Sequence, residues 1–353
     1  MLLRVAATGL AAVALVPSGS TVAPPTQPGP SRLVGRAVSS PIAATAVAFG
    51  AASLPLKTVA TAPLPGGSSR LDYASVDSSR NKLYLAHLGG GLVIVFDTKK
   101  RRVVKTIAAP GAHGVLAVPS TGRVYASATD SQQLLTIDER TGKVTARAAA
   151  GDYPDGIAYD AANRRVYVSD ESGGAEIFFS AAGRRLGSVP LGGEAGNVQY
   201  DSVSGHVLAD VQSRNEVAVI STRTNRVVRR VPLPGCDHDH GLLVDAPRRL
   251  AFVTCDGNAR LLTLDLRTMK IVGSAGIGQS PDVLAFDTSL RRLYVSAESG
   301  DVAVFAERDR TLDKLGQAFL APEAHVVAVD SQTHLVYFPL QTGPRLLIMK
   351  PTR

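Results

Sequence analysis

Residues 154–170, PDGIAYDAANRRVYVSD, contain the pattern that decides the fold. An apolar strand runs to Asp160, the triplet AAN turns the chain, and a second strand rich in β-branched residues carries Tyr167. The arrangement returns seven times from Leu54 onward. The Asp160 position is filled successively by Asp77, Val118, Asp160, Asp201, Asp245, Asp287 and Asp330, at intervals of 41, 42, 41, 44, 42 and 43 residues. Seven residues after each stands a bulky side chain: Tyr84, Tyr125, Tyr167, Leu208, Phe252, Tyr294 and Tyr337. Twenty residues after each comes a mostly polar position: Asp97, Asp138, Ser180, Ser221, Asp265, Glu307 and Lys350.

Turn sequences such as STG, ESGG and TGK separate the strands, so each unit reads as four short strands, A to D. Four strands in a period of roughly 40–50 residues is the arithmetic of a propeller blade. The expected fold is all-β, a seven-bladed β-propeller of four-stranded antiparallel blades. The seventh unit stops after its third strand, RLLIMK at 345–350, while LKTVATAP at 56–63 matches D strands such as RVVRRVP at 226–232. The N-terminal strand is therefore expected to complete the last blade and close the ring, removing a free sheet edge.

Composition agrees with this reading. The 353 residues are 45% hydrophobic and 19% charged, which supports a folded core, and the 33 glycines and 21 prolines suit many short strands and turns. Dividing length by a typical domain size would suggest two domains; the repeat replaces that with one propeller over residues 55–353. Arg4, Arg32 and Arg36 are the only charged side chains in residues 1–54, so three of the eight net positive charges lie there and the propeller is only mildly basic. No apolar run is long enough for a spanning helix.

The apolar stretch Val5–Val16, followed by Pro17 and small residues, reads as a signal peptide over residues 1–23, and the Pro-rich segment after it as a disordered linker over 24–54. Export to a periplasmic or extracellular space is expected. An uncleaved N-terminal anchor is the alternative.

Strand B of several units, RRVYVSD, RRLYVSA and RRLAFVT, with a following V-x-V-x-D strand, resembles the YVTN-repeat, YncE-like propeller family. Val118 in unit 2 and Leu208 in unit 4 depart from the pattern. The resemblance implies the fold over residues 56–353. For function it implies a range, from lactonase-like and redox-associated propellers to binding or scaffold proteins, and no family catalytic motif transfers onto this chain.

In a propeller, strand A lines the axis. The position five before each anchor holds Asp72, His113, Asp155, Gly196, His240, Asp282 and His325, on the face that carries the D–A and B–C loops. Three histidines and three aspartates thus share one ring. His87 and Asp170 end strand B on the same face, and Asp237, His238 and Asp239 precede His240. Imidazoles with carboxylates suit a divalent metal or an anionic ligand in the central funnel. The plainer reading is that these groups cap turns and bind channel water, as Asp does in YPDG and SPDV. A seven-bladed funnel also looks wide for six side chains to meet.

Cys236 in a D–A loop and Cys255 at the end of strand B of the same unit are expected to form a disulfide; metal thiolates and free thiols are the alternatives. There is no haem-attachment or flavin signature and no nucleophile elbow or zinc-protease motif. The function favoured is a monomeric, exported, non-enzymatic binding or scaffold propeller whose funnel face takes a small ligand, metal or protein. The alternative is a lactonase-type, metal-dependent hydrolase using the funnel Asp and His residues. Nucleic-acid binding, suggested by KKRR at 99–102 and the pairs Arg164–Arg165, Arg229–Arg230 and Arg291–Arg292, ranks below both, because basic pairs at strand turns are usually solvated edges.

Overall fold

The computed structural model describes residues 53–352, so the expected signal peptide and all of the linker except Ser53 and Leu54 lie outside the described residues. Among the described residues, no helix is long and apolar enough to cross a membrane. Seven four-stranded sheets make up this part of the chain, each strand antiparallel to its neighbour. Every strand A ends at the repeated anchor: Ala74–Asp77, Ala112–Val118, Pro154–Asp160, Ala195–Asp201, Asp239–Asp245, Pro281–Asp287 and Ala328–Asp330.

The anchor aspartates have a local task. Their carboxylates accept backbone N–H groups of the A–B turn, as Asp77 does from Ser79 and Arg80 at 2.9 and 3.2 Å, and Asp287 from Ser289 and Leu290 at 3.0 Å each. Val118 cannot do this. There Pro119 occupies the first turn position, where no N–H needs a partner, and the Thr121 hydroxyl donates to the Val118 carbonyl at 2.9 Å.

The bulky strand-B residues explain how blades hold together. Each enters an apolar cluster with the next blade: Tyr84 with Val115 and Ala126, Tyr125 with Val166 and Val168, Tyr167 with Val198 and Val207. Leu208 packs with Leu242 and Val253, Phe252 with Leu293 and Val295, and Tyr294 with Val327 and Val336. Tyr337 of blade 7 then packs with Leu71 and Leu83 of blade 1. All seven are at most 2% exposed, so each blade supplies one large residue to its neighbour. Burying a side chain of this kind stabilises by about 1.5–3 kcal/mol.

The ring closes as the sequence predicts. The strand Leu56–Pro63 pairs antiparallel with Arg345–Pro351, from Leu56 opposite Pro351 to Pro63 opposite Arg345, and becomes the outer strand of blade 7. Cys236 and Cys255 form a disulfide within blade 5, with Cα atoms 5.3 Å apart. Among the described residues there is no free cysteine.

Two outcomes are expected. A chain lacking residues 1–63 exposes the edge of Arg345–Pro351 and loses the contact between first and last blades, so its cooperative thermal transition should disappear; a melting temperature equal to that of the full chain would contradict ring closure. Reduction of the disulfide should lower unfolding stability by about 3 kcal/mol in urea titrations. Alkylation of both thiols without reductant would contradict the bridge.

Candidate functional site

The axial side chains are positioned by a repeated irregularity. In blades 2 to 6 the A–B ladder pairs one residue, skips two and resumes, between Ala112 and Val115, Pro154 and Ile157, Ala195 and Val198, Asp239 and Leu242, and Pro281 and Leu284. The first skipped residue is His113, Asp155, Gly196, His240 or Asp282. A bulge of this kind re-aims a side chain out of the regular pleat. These residues are thus second in their strands, and Asp72 and His325 precede theirs. The residue after His113 and His240 is glycine for a steric reason: a Cβ on Gly114 would stand 2.3 Å from the Asp155 carbonyl oxygen, and one on Gly241 2.2 Å from that of Asp282.

The structure brings the six predicted side chains into one network. Nε2 of His113 lies 3.2 Å from Asp72 and 3.5 Å from Asp155, while its Nδ1 is 3.3 Å from the Thr129 hydroxyl. Nε2 of His240 lies 3.3 Å from Asp282, and its Nδ1 is 2.9 Å from Oε1 of Gln212. His325 completes the second group, its Nε2 4.0 Å from Oδ2 of Asp282. Arg70 joins the two groups, with Nε 2.8 Å from Asp72 and Nη2 3.5 Å from Asp282. Its Nη1 reaches Glu298 at 2.6 Å. The expectation of a funnel too wide for these residues to meet fails because the bulges turn His113, Asp155, His240 and Asp282 inward and the long Arg70 side chain spans the remaining gap.

Charge in the network follows from burial and pairing. Burial pulls the His113 imidazole down, but Asp155 and Asp72 outweigh it and raise its pKa to about 9. For His240 the same opposition, won by Asp282 and Asp155, gives about 10. Burial pushes Asp72 and Asp282 up, yet their cationic partners, His113 with Arg70 for Asp72 and chiefly His240 for Asp282, hold both below the ordinary carboxylate range. At Asp155 burial wins, and its carboxyl is held above that range.

The ring separates two spaces. On one side lies a channel cavity of about 280 Å³ lined by strand-A residues including Ser75, Gly114, Gln199 and Leu243. Tyr73 of blade 1 borders it and donates to Asn197 of blade 4 at 2.9 Å. On the funnel face lies a chamber of about 210 Å³, lined by Arg70, Glu171, His238, His240, Asp256 and Glu298 among others. Apart from His240, which is in strand A, these come from D–A and B–C loops, the loops expected to share this face.

The secondary candidates lie outside the network. His87 is buried, its Nε2 3.2 Å from both the hydroxyl and the carbonyl of Ser69. Asp170 caps loop backbone, accepting from Asp152, Tyr153 and Gly173 at 2.8, 3.0 and 3.2 Å. His238 stands at the chamber, 3.4 Å from Glu194 and 3.8 Å from Asp256. Several of the basic residues are engaged: Arg165 donates to the Thr222 carbonyl at 3.0 Å and Asn225 at 2.9 Å, Arg291 pairs with Glu307 at 2.6 Å, and Arg230 pairs with Glu216.

Sequence reasoning missed Arg70, Gln212, Tyr73 and Asn197, which lie off the repeat position. The in-register dipeptides HG at 113 and 240 and DG at 155 were an available signal of the bulge. It also missed two fully buried acids, Glu176 and Asp210; Asp239, noted in the run before His240, is fully buried as well. Burial raises all three carboxyls, that of Asp239 to about 6.

No family model matches the chain. Its sequence is 27% identical over 95 residues to YncE, an uncharacterised protein, of Salmonella typhi and of Salmonella typhimurium. The match spans about 27% of this chain and 27% of the length of those relatives. Among solved structures, hydrazine synthase of Kuenenia stuttgartiensis is similar, with a TM-score of 0.69 and 13% identity over 81% of this chain and 95% of that one. At that identity the likeness concerns the fold alone.

The imidazolium charges carry a pH dependence. Because the folded pKa of His113 is raised above the unfolded value of about 6.5, its stabilisation is full below about pH 6.5 and is lost as pH rises through about 9. Urea midpoints should fall across that window, and the fall should be shallower in His113→Asn. Identical profiles for the two proteins would contradict the ion pairing.

Proposed function

We propose that this YncE-like seven-bladed propeller is an exported, non-enzymatic binding protein that holds a small polar ligand in the funnel-face chamber. The observation that carries the reading is the chamber itself, whose floor is the axial network and whose walls come from four different B–C loops and three segments leading into A strands. Arg70 is already engaged by Asp72, Asp282 and Glu298. Among the remaining wall groups the Glu171 and Asp256 carboxyls favour a cationic or hydrogen-bond-donating group.

The charge state of the two ring imidazoles favours binding over catalysis by them. His113 and His240 are imidazolium at neutral pH, away from the range in which a general base works best. Both cysteines are taken up in the disulfide, which suits an oxidising compartment and agrees with the leader-like N-terminus. The lactonase-type reading draws on one observation, the close approach of Asp72, Asp282 and His325, since a cation there would activate water at the chamber floor.

A thermal-shift panel of amines, sugars, lactones and small acids tests the proposal on the wild type and on the Glu171→Gln/Glu298→Gln double variant. At least one class should raise the melting temperature of the wild type and leave the variant unmoved. A panel with no effect, or shifts equal in both proteins, would count against the chamber; turnover of a lactone would favour the hydrolase.

A further inference from the structure

The floor of the chamber contains an imidazole whose surroundings are incomplete. His325 is 2% exposed, and its Nδ1 lies 2.9 Å from the Glu323 carbonyl oxygen. A carbonyl only accepts, so Nδ1 carries the hydrogen and Nε2 of the neutral ring presents a lone pair. That Nε2 has no hydrogen-bond partner. The nearby carboxylate oxygen, Oδ2 of Asp282, is 4.0 Å away, beyond hydrogen-bond reach. Ligand atoms of Asp72, Asp282 and His325 all lie within 4.8 Å of one another, and all three residues are buried.

We infer that Asp72, Asp282 and His325 form a divalent-cation site opening onto the chamber. The inference rests on the funnel-face reading and names the first occupant of that face. Two bonds of about 2.0–2.2 Å, the lengths zinc makes to imidazole nitrogen and carboxylate oxygen, span the gap between His325 and Asp282. A cation there also gives the buried lone pair the partner it lacks, where an empty site leaves it unsatisfied. One imidazole with two carboxylates suits Zn²⁺ or Mn²⁺ better than Mg²⁺, which takes oxygen ligands and keeps its waters. Three protein donors leave coordination positions free for a ligand from the chamber.

Arg70 sharpens the prediction. Its guanidinium touches the same two carboxylates, at 2.8 Å to Asp72 and 3.5 Å to Asp282, and is 40% exposed above them. It is a tethered competitor for the site. Removing it should strengthen cation binding, whereas removing a true ligand should weaken it.

The test uses the full exported chain with its disulfide intact, stripped with a chelator and titrated calorimetrically with zinc chloride, magnesium chloride serving as the control. The wild type should take up one Zn²⁺ per chain and bind Mg²⁺ far more weakly. His325→Ala and Asp282→Asn should lower zinc affinity by at least about tenfold, Arg70→Gln should raise it, and His206→Ala, at the far end of its blade, should leave it unchanged. Arg70→Gln keeps the test decisive if a buried substitution fails to fold. No zinc uptake by the wild type, or equal affinity in the His325, Asp282 and Arg70 variants, would overturn the site. If zinc fails to bind while chamber ligands still shift the melting temperature, the cation site falls alone. If zinc binds at the ring and no ligand class uses the chamber, the small-ligand reading falls and the site stands.

Discussion

The structure depends on one constraint: a blade has two apolar faces, and each must be covered by another blade. A four-stranded sheet alone would leave Tyr167 or Phe252 in water, and stacking in an open row would leave two faces uncovered. Closing the row removes both ends. Tyr337 packing on Leu71 and Leu83 is the contact that does so, and the pairing of Leu56–Pro63 with Arg345–Pro351 fastens it. The two ends of the propeller therefore form one sheet, and neither is dispensable.

Closure has a second consequence at the axis. Seven strands A converge there, and their opening residues are forced close together whatever their chemistry. Glycine after His113 and His240 lets neighbouring backbones approach, and the bulges aim the preceding side chains inward. Had these positions been apolar, the axis would be a plug. Because they are Asp and His, the same geometry produces a buried charge network held by mutual pairing and by Arg70, with Nε2 of His325 and the Asp155 carboxylate left without hydrogen-bond partners.

The fold was legible because a propeller repeats its physics. The anchor aspartates recur because every A–B turn presents the same N–H groups, and the bulky strand-B residues recur because every blade meets its neighbour in the same way. The ring of Asp72, His113, Asp155, His240, Asp282 and His325 was legible for the same reason, as a column at a constant offset. Arg70 and Gln212 were not, since their roles come from side-chain reach across blades and occur once each. The separation of ring residues from cap residues was equally hidden: Asp170 and Asp155 look alike in sequence, but one faces loop amides and the other faces His113. Nor could the offset reveal the bulge, which aims four of these side chains inward.

The central claim is that closure drives the axial histidines and aspartates into one charge network. Nitrogen-15 imidazole NMR on the labelled protein measures it most directly. The account predicts that His113 and His240 are doubly protonated at about pH 8 and lose their protons only near pH 9 and 10. Both rings titrating near the ordinary value of about 6.5 would contradict it, showing that the side chains face an open, water-filled funnel instead of each other.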